Sequence, residues 1–171
     1  KATNLKSRSI GLGVMGEAEM LAEYKLVWGS NEHFKKIDQI MEAISYNAIK
    51  SSSELATQKG IYPTFEGSKW SEGIMPHDHA PQSVNALVDK DLFDASYDWD
   101  SLRTKVKKDG MRNGYLMAVA PTSSISILVG TTQAIEPVYK RKWFEENLSG
   151  LIPVVVPKLS PETWHYYTPA F

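Results

Sequence analysis

Tyr115-Leu116-Met117-Ala118-Val119-Ala120, running into Pro121-Thr122-Ser123-Ser124-Ile125-Ser126, is the stretch that decides the fold. Its first six residues form a nearly unbroken apolar run between Gly114 and Pro121, the pattern of a strand buried on both faces in a parallel sheet flanked by helices. Small hydroxyl residues follow the proline, and they predict the start of a short helix from about Ser123 to Val129. Strand, turn and helix make a βα unit, so the expected fold class is α/β.

Upstream, Ile10, Leu12 and Val14 alternate with Gly11 and Gly13, which predicts a strand closely approached by other backbone, followed by a helix over 17–28. Ser30 or Asn31 can cap a long helix whose apolar residues Phe34, Ile37, Met41, Ile44, Ala48 and Leu55 recur at helical spacing, with Gly60 past its end. Residues 61–97 are punctuated by Pro63, Gly67, Gly73, Pro76 and Pro81, and predict a long surface excursion with short helices. Asp98 suits an N-cap for a helix over 99–109, with Leu102 and Val106 on one face and Gly110 at its exit. Downstream, 138–144 and 151–156 predict a hairpin with Pro153 on an edge, and Ser160-Pro161 predicts a last helix.

With 171 residues, 42% of them hydrophobic, the chain can bury a core. Lys plus Arg number 19 against 20 Asp plus Glu, a net charge of −1, so no global field attracts nucleic acid or an anionic membrane. No apolar run is long enough to span a bilayer, and the polar start lacks the apolar centre of a secretory signal, which predicts a cytoplasmic protein. There is no cysteine, so thiol redox chemistry cannot be completed within this segment.

At Pro121 to Ser126 the free N–H groups of a helix's first turn favour an anion, and hydroxyls at Thr122, Ser123, Ser124 and Ser126 add donors without charge. A plain Ser/Thr cap explains the same residues. Gly11-Leu12-Gly13-Val14-Met15-Gly16 fits the dinucleotide pattern in letters, but that pattern needs a strand before its first glycine, and Leu5-Lys6-Ser7-Arg8-Ser9 is not one. His77-Asp78-His79 reads as a polar loop rather than a metal site, and His33 and His165 stay unassigned. Glu136 reads as a partnered carboxylate at a strand start, and Lys140-Arg141-Lys142 as alternating exposure along a strand.

Met111-Arg112-Asn113-Gly114, Ala120-Pro121-Thr122-Ser123-Ser124-Ile125-Ser126 and Ile135-Glu136-Pro137-Val138-Tyr139-Lys140-Arg141, at this spacing, closely resemble the large (alpha) subunit of class I ribonucleoside-diphosphate reductases. Arg8-Ser9-Ile10-Gly11-Leu12-Gly13-Val14-Met15-Gly16 extends the likeness over essentially the whole chain. The resemblance implies a ten-stranded α/β barrel of two five-stranded halves, of which residues 1–171 are a partial domain from the second half. In that family the turn matching Pro121, Thr122, Ser123, Ser124 and Ile125, with Ser126 adjacent, holds the substrate diphosphate.

The resemblance further implies a parent enzyme that reduces ribonucleoside diphosphates to deoxyribonucleoside diphosphates by a radical mechanism, under allosteric control. Its radical and reducing cysteines and its regulatory sites lie upstream, and its radical-relay tyrosine pair and thioredoxin- or glutaredoxin-facing tail lie downstream. The implied partners are therefore the rest of the alpha chain and a small (beta) subunit carrying the metal-radical centre. No catalytic residue, metal ligand or cofactor is assigned to this segment, and alone it is predicted inactive. Tyr166-Tyr167 follows the barrel segment too soon to be the relay pair. Cobalamin-dependent class II reductases share the Ala-Pro-Thr turn and the Ile-Glu-Pro segment, so the class I reading rests on 138–143. A separately encoded phosphate-binding or interaction domain is the non-catalytic alternative.

Overall fold

A computed structural model of the chain describes residues 2–79, 95–147 and 150–170. In chain order its helices are α1 (Ala2–Ser7), α2 (Glu17–Tyr24), α3 (Asn31–Lys59), α4 (Lys69–Glu72), α5 (Trp99–Asp109) and α6 (Ser123–Val129), with a 3-10 turn at Pro76–His79. The strands β1 (Lys142–Asn147) and β2 (Gly150–Val155) pair antiparallel. Two compact units emerge: Lys1–Leu12 with Lys35–Ala118, and Gly13–Phe34 with Val119–Phe171.

The core of the first unit joins Leu102 and Val106 of α5 to Ile49 of α3 and to Tyr62, Phe65, Met75, Met111 and Leu116. Each such apolar side chain, fully buried, contributes about 1.5–3 kcal/mol. Tyr62, Phe65 and Met75 overturn the expected surface excursion for residues 61–79. The turns made by prolines and glycines there return the chain to the core, and Met75 is 0% exposed. The rest of that predicted excursion, 80–94, lies outside the described residues.

α5 has the predicted bounds, because Asp98 Oδ1 accepts the Ser101 N–H at 2.9 Å and Gly110 ends the helix. α3 also runs to Gly60 as predicted, and of its two predicted caps, Ser30 and Asn31, it is Ser30 whose Oγ accepts the His33 N–H. Its buried stripe, however, is Ile49, Ser52, Ser53 and Ala56, and Leu55 is exposed. Ser52 displaces the expected apolar residues because its hydroxyl is satisfied: it donates to Asn113 Oδ1 at 2.9 Å and accepts the Asn113 N–H at 3.1 Å.

The predicted strands over 10–14 and 115–120 are reduced to one short parallel contact between the two segments. Leu12 bridges Met117, flanked by hydrogen bonds from Ile10 N–H to Tyr115 O and from Ala118 N–H to Leu12 O, both 3.0 Å. Burial on both faces is not found: Leu116 is buried, whereas Tyr115 is 70% exposed. Among the described residues, only the 10–12 segment pairs with this run.

In the second unit, Ala18 and Ala22 of α2 pack with Val138, Val156 and Tyr167, against which Trp28, Trp143, Leu159 and Tyr166 also lie. The Tyr167 phenol donates to Pro157 O at 2.6 Å, and burial, with the charges of Glu19 and Glu23, pushes its pKa up. α2 stops at Tyr24 rather than 28, closed by a left-handed Lys25 whose N–H bonds Ala22 O. The hairpin forms with Asn147 opposite Gly150, and Pro153 sits opposite Phe144 in a two-stranded sheet whose edges tolerate a missing N–H. Val138 is not in it; it bridges Pro169 in parallel instead. No helix forms at Ser160. Ser160 and Thr163 cap each other, with Ser160 N–H on Thr163 Oγ1 at 2.9 Å and Thr163 N–H on Ser160 Oγ at 3.2 Å, and hold residues 161–166 in successive turns.

Candidate functional site

α6 begins where the sequence predicts, and the turn before it is built by Thr122. This residue is left-handed, at φ 55 and ψ 23, and gives its helix no side-chain cap. Its Oγ1 instead accepts the Ala134 N–H at 2.9 Å, leaving its own proton free to donate. Ser126 N–H is bonded to Thr122 O at 2.8 Å. The N–H groups of Ser123, Ser124 and Ile125 precede it and have no acceptor within the helix.

Pro121, Ser123, Ser124 and Ile125 are exposed. Ser126 is buried, with its hydroxyl donating to Ser123 O at 3.2 Å, so its side chain braces the turn from within. No acidic residue lies in the first turn. The result is an uncharged cluster of donors at the positive end of a helix dipole, which favours an anion by about 0.3–1 kcal/mol. Such a cluster of donors is suited to holding an anionic ligand.

A loop of residues 131–134 backs the turn. Besides binding Thr122, Ala134 presents its carbonyl to the Glu17 N–H at 3.5 Å, while Thr132 Oγ1 accepts the Glu19 N–H at 3.2 Å. Thr131 donates its hydroxyl to Glu19 Oε2. Gly16, before α2, has φ +88, and a Cβ there would stand 2.6 Å from Thr131 Oγ1. Lys158 Nζ lies 3.0 Å from Glu19 and 2.9 Å from Glu23, whose hydrogen bonds raise the pKa of the ammonium group. The glycine motif at 11–16 is therefore a segment that pairs at Leu12 and then starts a helix whose Glu17 and Glu19 N–H groups are already taken.

The remaining sequence candidates have local partners. His33 Nδ1 accepts the Gly29 N–H at 2.9 Å, so its proton is on Nε2, 2.8 Å from Glu17 Oε1, and both side chains are buried. Asp78 accepts from Arg103 at 2.6 and 3.1 Å and from the Met75 N–H at 2.7 Å; these bonds, led by Arg103, hold its carboxyl well below the usual range. His77 packs edge-on against Trp99. Glu136 is exposed, so the partnered carboxylate expected at a strand start is not a buried one. Lys140 and Lys142 are exposed, whereas Arg141 lies over the Trp164 ring and donates to Trp164 O at 2.9 Å.

A small apolar groove of about 100 Å³, lined by Ile127, Val138, Trp143 and Val154 among others, shares only Ser126 with the turn. Among the described residues no set of three or more His, Asp or Glu is placed to hold a metal ion, and no helix is long and apolar enough to cross a membrane.

Residues 1–167 match the family model described as ribonucleotide reductase, barrel domain. The alpha subunit of ribonucleoside-diphosphate reductase from Helicobacter pylori is 66% identical over all 171 residues, which are 22% of that subunit. The corresponding subunit of Treponema pallidum is 41% identical over 170 residues, 99% of this chain and 19% of the relative. The large subunit from Trypanosoma brucei brucei is 37% identical over 157 residues, 90% of this chain and 19% of the relative. The chain thus spans about a fifth of the length of these curated relatives. The match over 1–167, together with 66% identity to one curated relative over all 171 residues, shows that the chain belongs to the ribonucleotide reductase barrel-domain family.

Proposed function

We propose that this chain is a partial barrel domain of the alpha subunit of a class I ribonucleoside-diphosphate reductase, and that its task is to hold the substrate's diphosphate. The carrying observation is the open, uncharged start of α6: a left-handed Thr122 followed by three exposed residues whose N–H groups have no helical acceptor. Membership of the reductase family supports reading those donors as a diphosphate cradle. Pro121, Thr122, Ser123, Ser124 and Ile125 line it, and Ser126 stiffens it.

In this reading the ten-stranded barrel is completed by the rest of the alpha chain, and the protein works in the cytoplasm. The radical originates in the metal centre of a small beta subunit. Electrons arrive from thioredoxin or glutaredoxin through cysteines outside this chain, which has none. The present residues contribute proximity: a diphosphate fixed by oriented backbone donors brings the ribose to distant reactive groups in a productive geometry.

Ser124→Asp in the full-length subunit tests this. A carboxylate in the first turn is neutral or favourable to the helix, but it occupies and repels at the anion position. Ribonucleoside diphosphate affinity falls about tenfold or more, equivalent to roughly 1.4 kcal/mol. Unchanged affinity would falsify the cradle.

A further inference from the structure

Glu19 has no place in the cradle, yet its contacts converge on the loop that shapes it. Its carboxylate is 12% exposed, held between Lys158 Nζ at 3.0 Å and the Thr131 hydroxyl. Its own N–H reaches Thr132 Oγ1. One residue thus grips two consecutive members of the loop that ends at Ala134.

Ala134 and Thr122 both have positive φ, 38 and 55, a region that costs a β-branched residue such as Thr122 most. Such conformations persist only where the surroundings over-determine them. For Thr122 the determinant is the hydrogen bond from the buried Ala134 N–H. For Ala134 it is the clasp between 131–134 and the first turn of α2. Without that clasp both residues can relax toward negative φ, which turns the Ser123, Ser124 and Ile125 donors away from a common point.

We infer that Glu19, braced by Lys158, is a positioning residue for substrate: its carboxylate fixes Thr131 and so reinforces the backbone bonds from Glu19 to Thr132 and from Glu17 to Ala134, which together keep Thr122 left-handed and the cradle's donors convergent. The inference rests on the diphosphate reading of 121–126. Glu19 touches no substrate. Lys158 retains Glu23, 2.9 Å away, when Glu19 is truncated, so no charge is stranded.

The test compares Glu19→Ala, Glu19→Gln, Thr132→Val and Ser124→Asp in the full-length alpha subunit assayed with its small subunit. For Glu19→Ala, KM for the ribonucleoside diphosphate rises about fivefold or more while kcat at saturation stays within about twofold, the signature of lost ground-state and transition-state binding in equal measure. Thr132→Val moves KM in the same direction. Glu19→Gln, whose amide oxygen still accepts the Thr131 hydroxyl, restores KM to within about twofold of the parent. The inference is overturned if Glu19→Ala leaves KM unchanged although Ser124→Asp raises it, in which case the cradle stands without Glu19. It is equally overturned if kcat and melting temperature fall with KM and Gln does not rescue, since the role is then structural. If Ser124→Asp itself has no effect, the cradle reading fails first.

Discussion

Two helices of the second unit, α2 and α6, start after left-handed residues, Gly16 and Thr122, and neither has a side-chain cap. Beyond that they diverge. The start of α2 carries Glu17 and Glu19, whose N–H groups are taken by Ala134 O and Thr132 Oγ1. The start of α6 carries serines and no acid, and stays open. A helix start is an anion site only when its donors are unspent and no carboxylate satisfies the dipole first. The start preceded by the glycine-rich motif is the closed one.

The most severe way to break the contrast is Gly16→Ala. Its Cβ meets Thr131 Oγ1, and an L-residue in this conformation costs about 1–2 kcal/mol before that clash is counted. Hydrogen-exchange protection across 17–24 should collapse; preserved protection would show that the clasp does not hold α2. Ser124→Asp, with its roughly 1.4 kcal/mol effect on diphosphate binding, comes next and should leave exchange in α2 unaltered. Ser30→Ala supplies a yardstick from an ordinary capped start: loss of the Ser30 Oγ contact to the His33 N–H should cost about 1 kcal/mol. Chemical denaturation followed at Trp28, whose ring lies 5.0 Å from that of His33, reads this loss.

Acid gives the smallest and most selective effect. The start of α5 is held by carboxylates: Asp98 accepts from Ser101, and Glu42 accepts the N–H groups of Ser96 and Tyr97 and the Trp99 indole. For Glu42, burial alone would raise the pKa, but the hydrogen bonds outweigh it, and both groups titrate below their ordinary values. Their contribution is therefore present above the unfolded carboxylate range near pH 4 and is lost as pH falls through the lower folded values. Exchange at residues 95–102, corrected for intrinsic rates, should rise in that window. The contact between Thr122 and Ala134 contains no titrating group and should survive it.

What the sequence revealed and what it concealed divide by range of interaction. Asp98, Gly110 and Pro121 act on residues within one turn, and α5 and α6 have the expected bounds. An extended segment was also legible in the alternation at 10–14, although its pairing with 115–118 and the exposure of that run were not, since both depend on what lies beside them. The clasp had no local signal: Glu19 meets Thr131 and Thr132 across 112 and 113 residues, and isolated threonines in a loop announce nothing. Met75 and Tyr62 were masked by neighbouring prolines and glycines, and the Ser160 start failed because its hydroxyls bond locally. For the candidate turn, the chemistry of 121–126 was readable, whereas the geometry imposed by Ala134 was not.

Ala134 serves both helix starts with a single peptide pair, donating to one and accepting from the other. Coupling free energies are reciprocal. If α2 tightens the grip on a diphosphate, then a diphosphate must tighten α2 by an equal amount. Slowed amide exchange at Glu17 and Glu19 on adding nucleotide would register occupancy of a site those residues never touch.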